Sequence, residues 1–218
     1  MIQAFLFDLD DTLAATAPIW RDAEEHLLQS LDAPWSLELA ARYKGMNALD
    51  LATAVHRELR PTVSRAECQR IMRSRLLANF GRGPINAIDG AIDLVHRCRD
   101  VGAAMAVASG SPLEAIELAL DTLRIRDCFA LVLSSEQVAR GKPHPDVYLA
   151  TAEQLKVQPE NCLVFEDSLV GAQSAGAAGM HCAVRPSLAN DAIAEVATRM
   201  VGDWNEVTVE DLVALIQD

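Results

Sequence analysis

Short apolar runs recur along the chain at residues 2–7, 103–108, 130–133, 162–165 and 181–184. They are too short for helices and, apart from Gln3 and His181, apolar rather than alternating, so they read as strands buried on both faces. Between and after them lie segments with apolar residues three and four apart, at 90–101, 112–123, 145–155, 168–178 and near 207–216. Strands alternating with helices predict an α/β fold, a Rossmann-like, doubly wound parallel sheet with right-handed crossovers.

One connection breaks this rhythm. Between the first run and the helix at Gly90 the chain is far too long for a structureless loop. It carries its own helical patterns at 19–31, 48–59 and 64–80, separated by Pro34, Lys44-Gly45 and Pro61. The segment is expected to be a helical cap, residues 14–84, inserted after the first strand. The core domain then comprises residues 1–13 and 85–218, and Gly81-Arg82-Gly83-Pro84 is the candidate return hinge.

Composition acts by exclusion. With 218 residues, 50% apolar and 23% charged, the chain has the balance of an ordinary globular protein. A formal net charge of −12 argues against a nucleic-acid partner, which needs a dense basic face. The five cysteines are odd in number and form no C-x-x-C pair, so reduced thiols and a cytoplasmic location are expected. The opening apolar run is too short for a signal h-region or a membrane span, and no membrane partner is expected. No long apolar seam suggests self-association, so a monomer is the default. The insert carries a charge of +2 and the remainder −14. A mildly basic cap over an acidic core suits an anionic ligand between them.

Candidate chemistry clusters where the strands end, the edge at which open α/β sheets bind ligands. Asp8 and Asp10, two apart after the first strand, can present their carboxylates from one edge. After the second strand, Ser109-Gly110-Ser111-Pro112 opens a helix, where N–H groups and a hydroxyl can hold phosphate oxygens. The same residues are also explained by a capping box of Ser111 with Glu114. Lys142, one of only three lysines, lies in the rigid loop GKPHPD. Glu166 and Asp167 precede a helix rich in Gly and Ala. With Asp8 and Asp10, Asp167 supplies the oxygen ligands that a hard cation such as Mg²⁺ requires.

These loops, in this order, resemble the haloacid dehalogenase-like (HAD) hydrolase superfamily, in its branch with a helical cap after the first strand, where β-phosphoglucomutase and phosphoglycolate phosphatase belong. The resemblance covers nearly the whole chain through FDLDDTL, VASGSP, GKPHPD and FEDSLVGAQSAGAAGM. It implies a Mg²⁺-dependent phosphatase acting on a small phosphorylated metabolite through an aspartyl-phosphate. Carried over by position, Asp8 is the nucleophile and Asp10 the general acid and base. Ser109, Gly110 and Lys142 bind the phosphoryl group. Asp8, Asp10 through its carbonyl, Glu166 and Asp167 surround the metal, and Thr12 supports the first loop.

The chain also departs from that pattern. Asp11 stands where the family usually has Gly, and its spacing from Asp8 places it on the opposite face. Trp20 and Ala48 occupy the positions matching the mutase's cap histidine and arginine, which favours hydrolysis over a β-phosphoglucomutase-like transfer. Lys44, the only lysine of the insert, keeps a phosphonoacetaldehyde hydrolase-like C–P cleavage as an alternative. A receiver-type signalling domain shares the aspartyl-phosphate chemistry but needs no such insert.

Overall fold

In the computed structural model, which describes residues 2–187 and 191–209, the apolar runs become the strands of one sheet. They are β1 (Ala4–Phe7), β2 (Ala104–Ser109), β3 (Leu131–Ser134), β4 (Cys162–Glu166) and β5 (His181–Val184). A sixth, β6 (Arg199–Met200), is a two-residue edge strand that carries no apolar run and was not expected. The order is β3-β2-β1-β4-β5-β6 and every pair is parallel.

Residues alternate across β1. Phe5 and Phe7 face one side, where Phe7 stacks on Phe165 at 4.6 Å between ring centres and the fully buried Trp204 meets Phe165 edge-on. Helices α5 (Ala91–Val101) and α6 (Leu113–Thr122) pack on this side. Ala4 and Leu6 face the other side, against α7 (Asp146–Leu155) and α8 (Leu169–Ala177). Burial on both faces is what made each strand read as an unbroken apolar run.

The segment between β1 and α5 folds into α1 (Ala17–Ser30), α2 (Leu37–Tyr43), α3 (Ala48–Leu59) and α4 (Arg65–Phe80). Ser36, Asn47 and Ser64 cap the last three, each accepting a backbone N–H three residues on. Leu27, Leu51, Val55, Met72 and Leu76 fill the space between them. The sequence pattern missed α2, whose seven residues bury only Tyr43 and so show no apolar stripe. The outgoing and returning chains run side by side, with Ala15 N donating to Asn86 O at 2.8 Å and Ile88 N to Leu13 O at 2.9 Å. Arg73 of α4 also reaches across to Glu114 of α6 and to Glu136, each at 3.0 Å.

A short α9 (Ile193–Val196) follows β5. The helix expected near 207–216 lies outside the described residues beyond Val209. Among the described residues no helix is long and apolar enough to cross a membrane.

Candidate active site

Asp8 directly follows β1, and its N–H donates to Phe165 O on β4 at 3.0 Å. This places its carboxylate at the carboxyl edge of the sheet, between the β2–β3 side and the β4–β6 side, the crevice where such sheets bind ligands. From the β3–α7 connection Lys142 enters the same point, 2% exposed, with its peptide bond to Pro143 cis. Its ammonium group has three donors and uses all of them, on Asp8 Oδ1 at 2.7 Å, Glu166 Oε1 at 2.6 Å and Ala108 O at 3.1 Å. Burial works against that charge, but Asp8 and Glu166 outweigh it and hold the amine above the usual lysine range.

Glu166 is the hub of the buried network. Its Oε1 also accepts from Tyr148 Oη at 2.7 Å, and its Oε2 from Asp167 N and Ser168 Oγ, both at 3.1 Å. Burial pushes this carboxyl up, yet Lys142 overcomes that and leaves it below the usual range. Gly171 makes room for it, since a Cβ there would fall 1.9 Å from the Glu166 carboxylate. The Gly-rich start of α8 thus serves a charged group as well as sheet packing.

Asp8 is pushed well above the usual carboxylate range by burial, with Lys142 opposing and Glu166, Asp10 and Asp167 reinforcing. Burial likewise raises Asp167 to about 7, against the pull of Lys44 at 3.2 Å. Ser187 Oγ donates to Asp167 at 2.5 Å. Carboxylate oxygens of Asp8, Glu166 and Asp167 lie within 4.8 Å of one another. Buried, oxygen-only and short of positive charge, the cluster fits a hard divalent cation such as Mg²⁺.

Asp10 faces the insert and accepts four hydrogen bonds. Thr16 Oγ1 (2.7 Å) and Trp20 Nε1 (2.8 Å) donate to Oδ1; Ser109 Oγ and Ser111 Oγ, each at 2.9 Å, donate to Oδ2. Two local expectations change as a result. Ser111 forms no capping box, because its hydroxyl goes to Asp10, Glu114 pairs with Arg73, and α6 starts without a side-chain cap. Thr16, at the head of α1, does not cap it either. Asp11 does so instead, its Oδ1 accepting from Thr16 N at 3.0 Å and Ala17 N at 2.9 Å.

Asp11 adopts a left-handed φ of 59°, the conformation for which glycine is the usual choice. Its Oδ2 takes Lys44, so it holds the insert to the core. Gly110 sits where the insert's backbone approaches, since a Cβ there would be 3.2 Å from Met46 O and Asn47 Cα. Thr12 supports the loop through its carbonyl, which accepts Trp204 Nε1 at 3.3 Å, while its buried hydroxyl makes no hydrogen bond among the described residues. Sequence reasoning missed Thr16, Ser111 and Tyr148 as partners of the site. The spacing of Thr16 and Trp20, four apart on one helix face, was the available signal for the first.

A cavity of about 400 Å³ opens above these groups. Asp8, Asp10 and Asp167 form its floor, and Trp20, Glu24, Trp35, Tyr43 and Lys44 of the insert form its walls.

Comparison with known proteins finds relatives over most of the chain. A family model described as haloacid dehalogenase-like hydrolase matches residues 2–179. Hexitol phosphatase B of Escherichia coli strain K12 is 29% identical over 220 residues, 97% of this chain and 96% of that protein. Fructose-1-phosphate phosphatase YqaB of the same strain is 31% identical over 179 residues, 80% and 92% of the two chains. The crystal structure of CbbY from Rhodobacter sphaeroides in complex with phosphate superposes with a TM-score of 0.82 at 29% identity, covering 94% of this chain and 96% of that one.

Proposed function

Because this chain belongs to the haloacid dehalogenase-like hydrolases, we propose that it is a Mg²⁺-dependent phosphatase that cleaves a small sugar-phosphate monoester through an aspartyl-phosphate on Asp8. One observation carries the reading: a buried carboxylate paired with Lys142 and a second carboxylate, Asp10, share the floor of one cavity. The relatives named as hexitol and fructose-1-phosphate phosphatases support the substrate class.

Asp8 attacks phosphorus, and Lys142 offsets the approach of anion to anion. Asp8, Asp167 and the Asp10 carbonyl would hold Mg²⁺. Glu166 lies in the same cluster with both oxygens already engaged, so its main part is to seat Lys142. When bound, the ion supplies the positive charge that lets buried carboxylates stay ionised beside a phosphate. Asp10 gives its proton to the departing alkoxide and later takes one from the water that hydrolyses the intermediate. Ser109 and Ser111 can turn from donating to accepting, whereas the Trp20 indole only donates. That asymmetry keeps Oδ1 of Asp10 an acceptor and assigns the proton to Oδ2. Replacing Asp10 with Asn is expected to lower kcat by roughly 10²- to 10⁴-fold in steady-state phosphate release, and unchanged turnover would remove the role.

The indole cannot relay protons at the position where the mutase has its cap histidine, which favours hydrolysis over return of the phosphoryl group. Lys44, held charged by Asp167 and Asp11 above the usual lysine range despite burial, is no source of the neutral amine that a Schiff base needs. The direct test is phosphate release from a panel of sugar and hexitol phosphates with and without Mg²⁺, with Asp8→Asn as the blank. Mg²⁺-dependent turnover absent from the variant supports the reading; turnover indifferent to both overturns it.

The Asp167 value sets a pH dependence. In the folded protein it binds its proton more tightly than in the unfolded chain, so without metal it contributes stability at low pH that is lost as pH rises from about 4 through 7. Mg²⁺ must displace that proton. Calorimetry is expected to show Mg²⁺ affinity falling by at least about tenfold per pH unit below 7, because Asp8, also raised by burial, must give up its proton as well. A flat profile between pH 5 and 8 would contradict the assignment of Asp167 to the metal.

A further inference from the structure

Helix α1 presents Trp20 and Glu24, four residues apart, on the face that lines the cavity. Trp20 touches Asp10, so Glu24 stands one helical turn, about 6 Å, farther into the insert. It is 8% exposed, and its Oε2 accepts Trp35 Nε1 at 3.0 Å, while Oε1, on the cavity wall, makes no hydrogen bond among the described residues. The cations nearby are already committed. Lys44 is bound by Asp11 and Asp167, while Arg21 pairs with Glu25 at 2.8 Å and stacks on Trp35 at 4.4 Å. Opposite the phosphoryl site, then, the cavity offers two indoles and one carboxylate, with no uncommitted positive charge among these groups.

From this arrangement we propose that Glu24 is a specificity-determining residue that selects neutral polyol monophosphates and rejects a second phosphate. A hydroxyl a few carbons beyond the ester oxygen donates to Glu24, and the indoles of Trp20 and Trp35 cover the carbon chain. A phosphate in the same place would meet the buried Glu24 carboxylate, while the two cations that line the cavity are held by other acids, Lys44 by Asp11 and Asp167 and Arg21 by Glu25. The inference rests on the phosphatase reading and deepens it by naming which sugar phosphates the site takes.

The test compares kcat/KM for fructose 1-phosphate and fructose 1,6-bisphosphate, in wild type and in Glu24→Gln, with thermal melting to confirm folding. Gln keeps an acceptor for Trp35 and removes the charge. Wild type is expected to favour the monophosphate by roughly 10- to 100-fold. In Glu24→Gln the preference should shrink to within about threefold, through a lower KM for the bisphosphate and a higher one for the monophosphate. Equal use of both substrates by wild type, or a Glu24→Gln variant that changes both in proportion, overturns the selectivity while leaving the phosphatase reading in place. Turnover of neither substrate by folded wild type overturns both.

Discussion

Asp8→Asn is expected to lower phosphate release by on the order of 10⁴-fold or more while the protein stays folded. The amide is neutral and a poor nucleophile, so attack on phosphorus is lost rather than slowed. Its oxygen can still accept from Lys142, whose other contacts on Glu166 and Ala108 remain. Stability should move the other way from activity. Burial lifts the Asp8 carboxyl well above its usual range, which means that holding it ionised at neutral pH costs the metal-free fold some stability. An amide carries no such cost. The metal-free variant should therefore melt at or above the wild-type temperature at pH 8, with the advantage shrinking as pH falls and Asp8 takes up its proton. Wild type quenched in acid should carry protein-bound phosphate, and the variant none. Residual turnover within tenfold of wild type would assign the attack to another group.

How far this site could be read from the sequence follows from where each signal originates. The five main strands were legible because residues such as Phe5, Leu6 and Phe7 are buried on both faces, which leaves an apolar run. The short β6 is exposed and left no run, and α2 buries too little to show a stripe. That Asp8, Asp10, Lys142 and Asp167 come together at one sheet edge was legible because each lies in a loop after a strand and the four loops follow one another in the family's order. Their partners were not, since contact between Thr16, Trp20 and Asp10, or between Lys44 and Asp167, depends on how the insert leans on the core. Ser111 shows the limit of local rules. Its spacing to Glu114 satisfies a capping box, yet Asp10, about a hundred residues away in sequence, takes the hydroxyl.

Lys142→Met should be the variant that damages both stability and catalysis. The side chain keeps an unbranched apolar stem, one atom shorter than lysine, but removes the charge that Asp8 and Glu166 share. Breaking a buried ion pair from one side costs about 3–5 kcal/mol, because the partners are left charged and unpaired. Here two carboxylates are stranded, although Tyr148 and the N–H of Asp167 still serve Glu166. Glu166 is below its usual range chiefly because Lys142, helped by Tyr148 and the Asp167 N–H, overcomes burial, so without the lysine its carboxyl should rise. The loss should accordingly be largest at pH 8 and smaller at pH 5, where protonation relieves the stranded charges. Denaturant unfolding at the two pH values measures this, and equal losses at both would show that packing, not charge, is Lys142's contribution. Turnover should fall by roughly 10²- to 10³-fold even with excess Mg²⁺, as for removal of one preorganised donor to the transition state. Arginine should not restore it. A planar guanidinium cannot direct three donors at Asp8, Glu166 and Ala108 from one point, as the ammonium does.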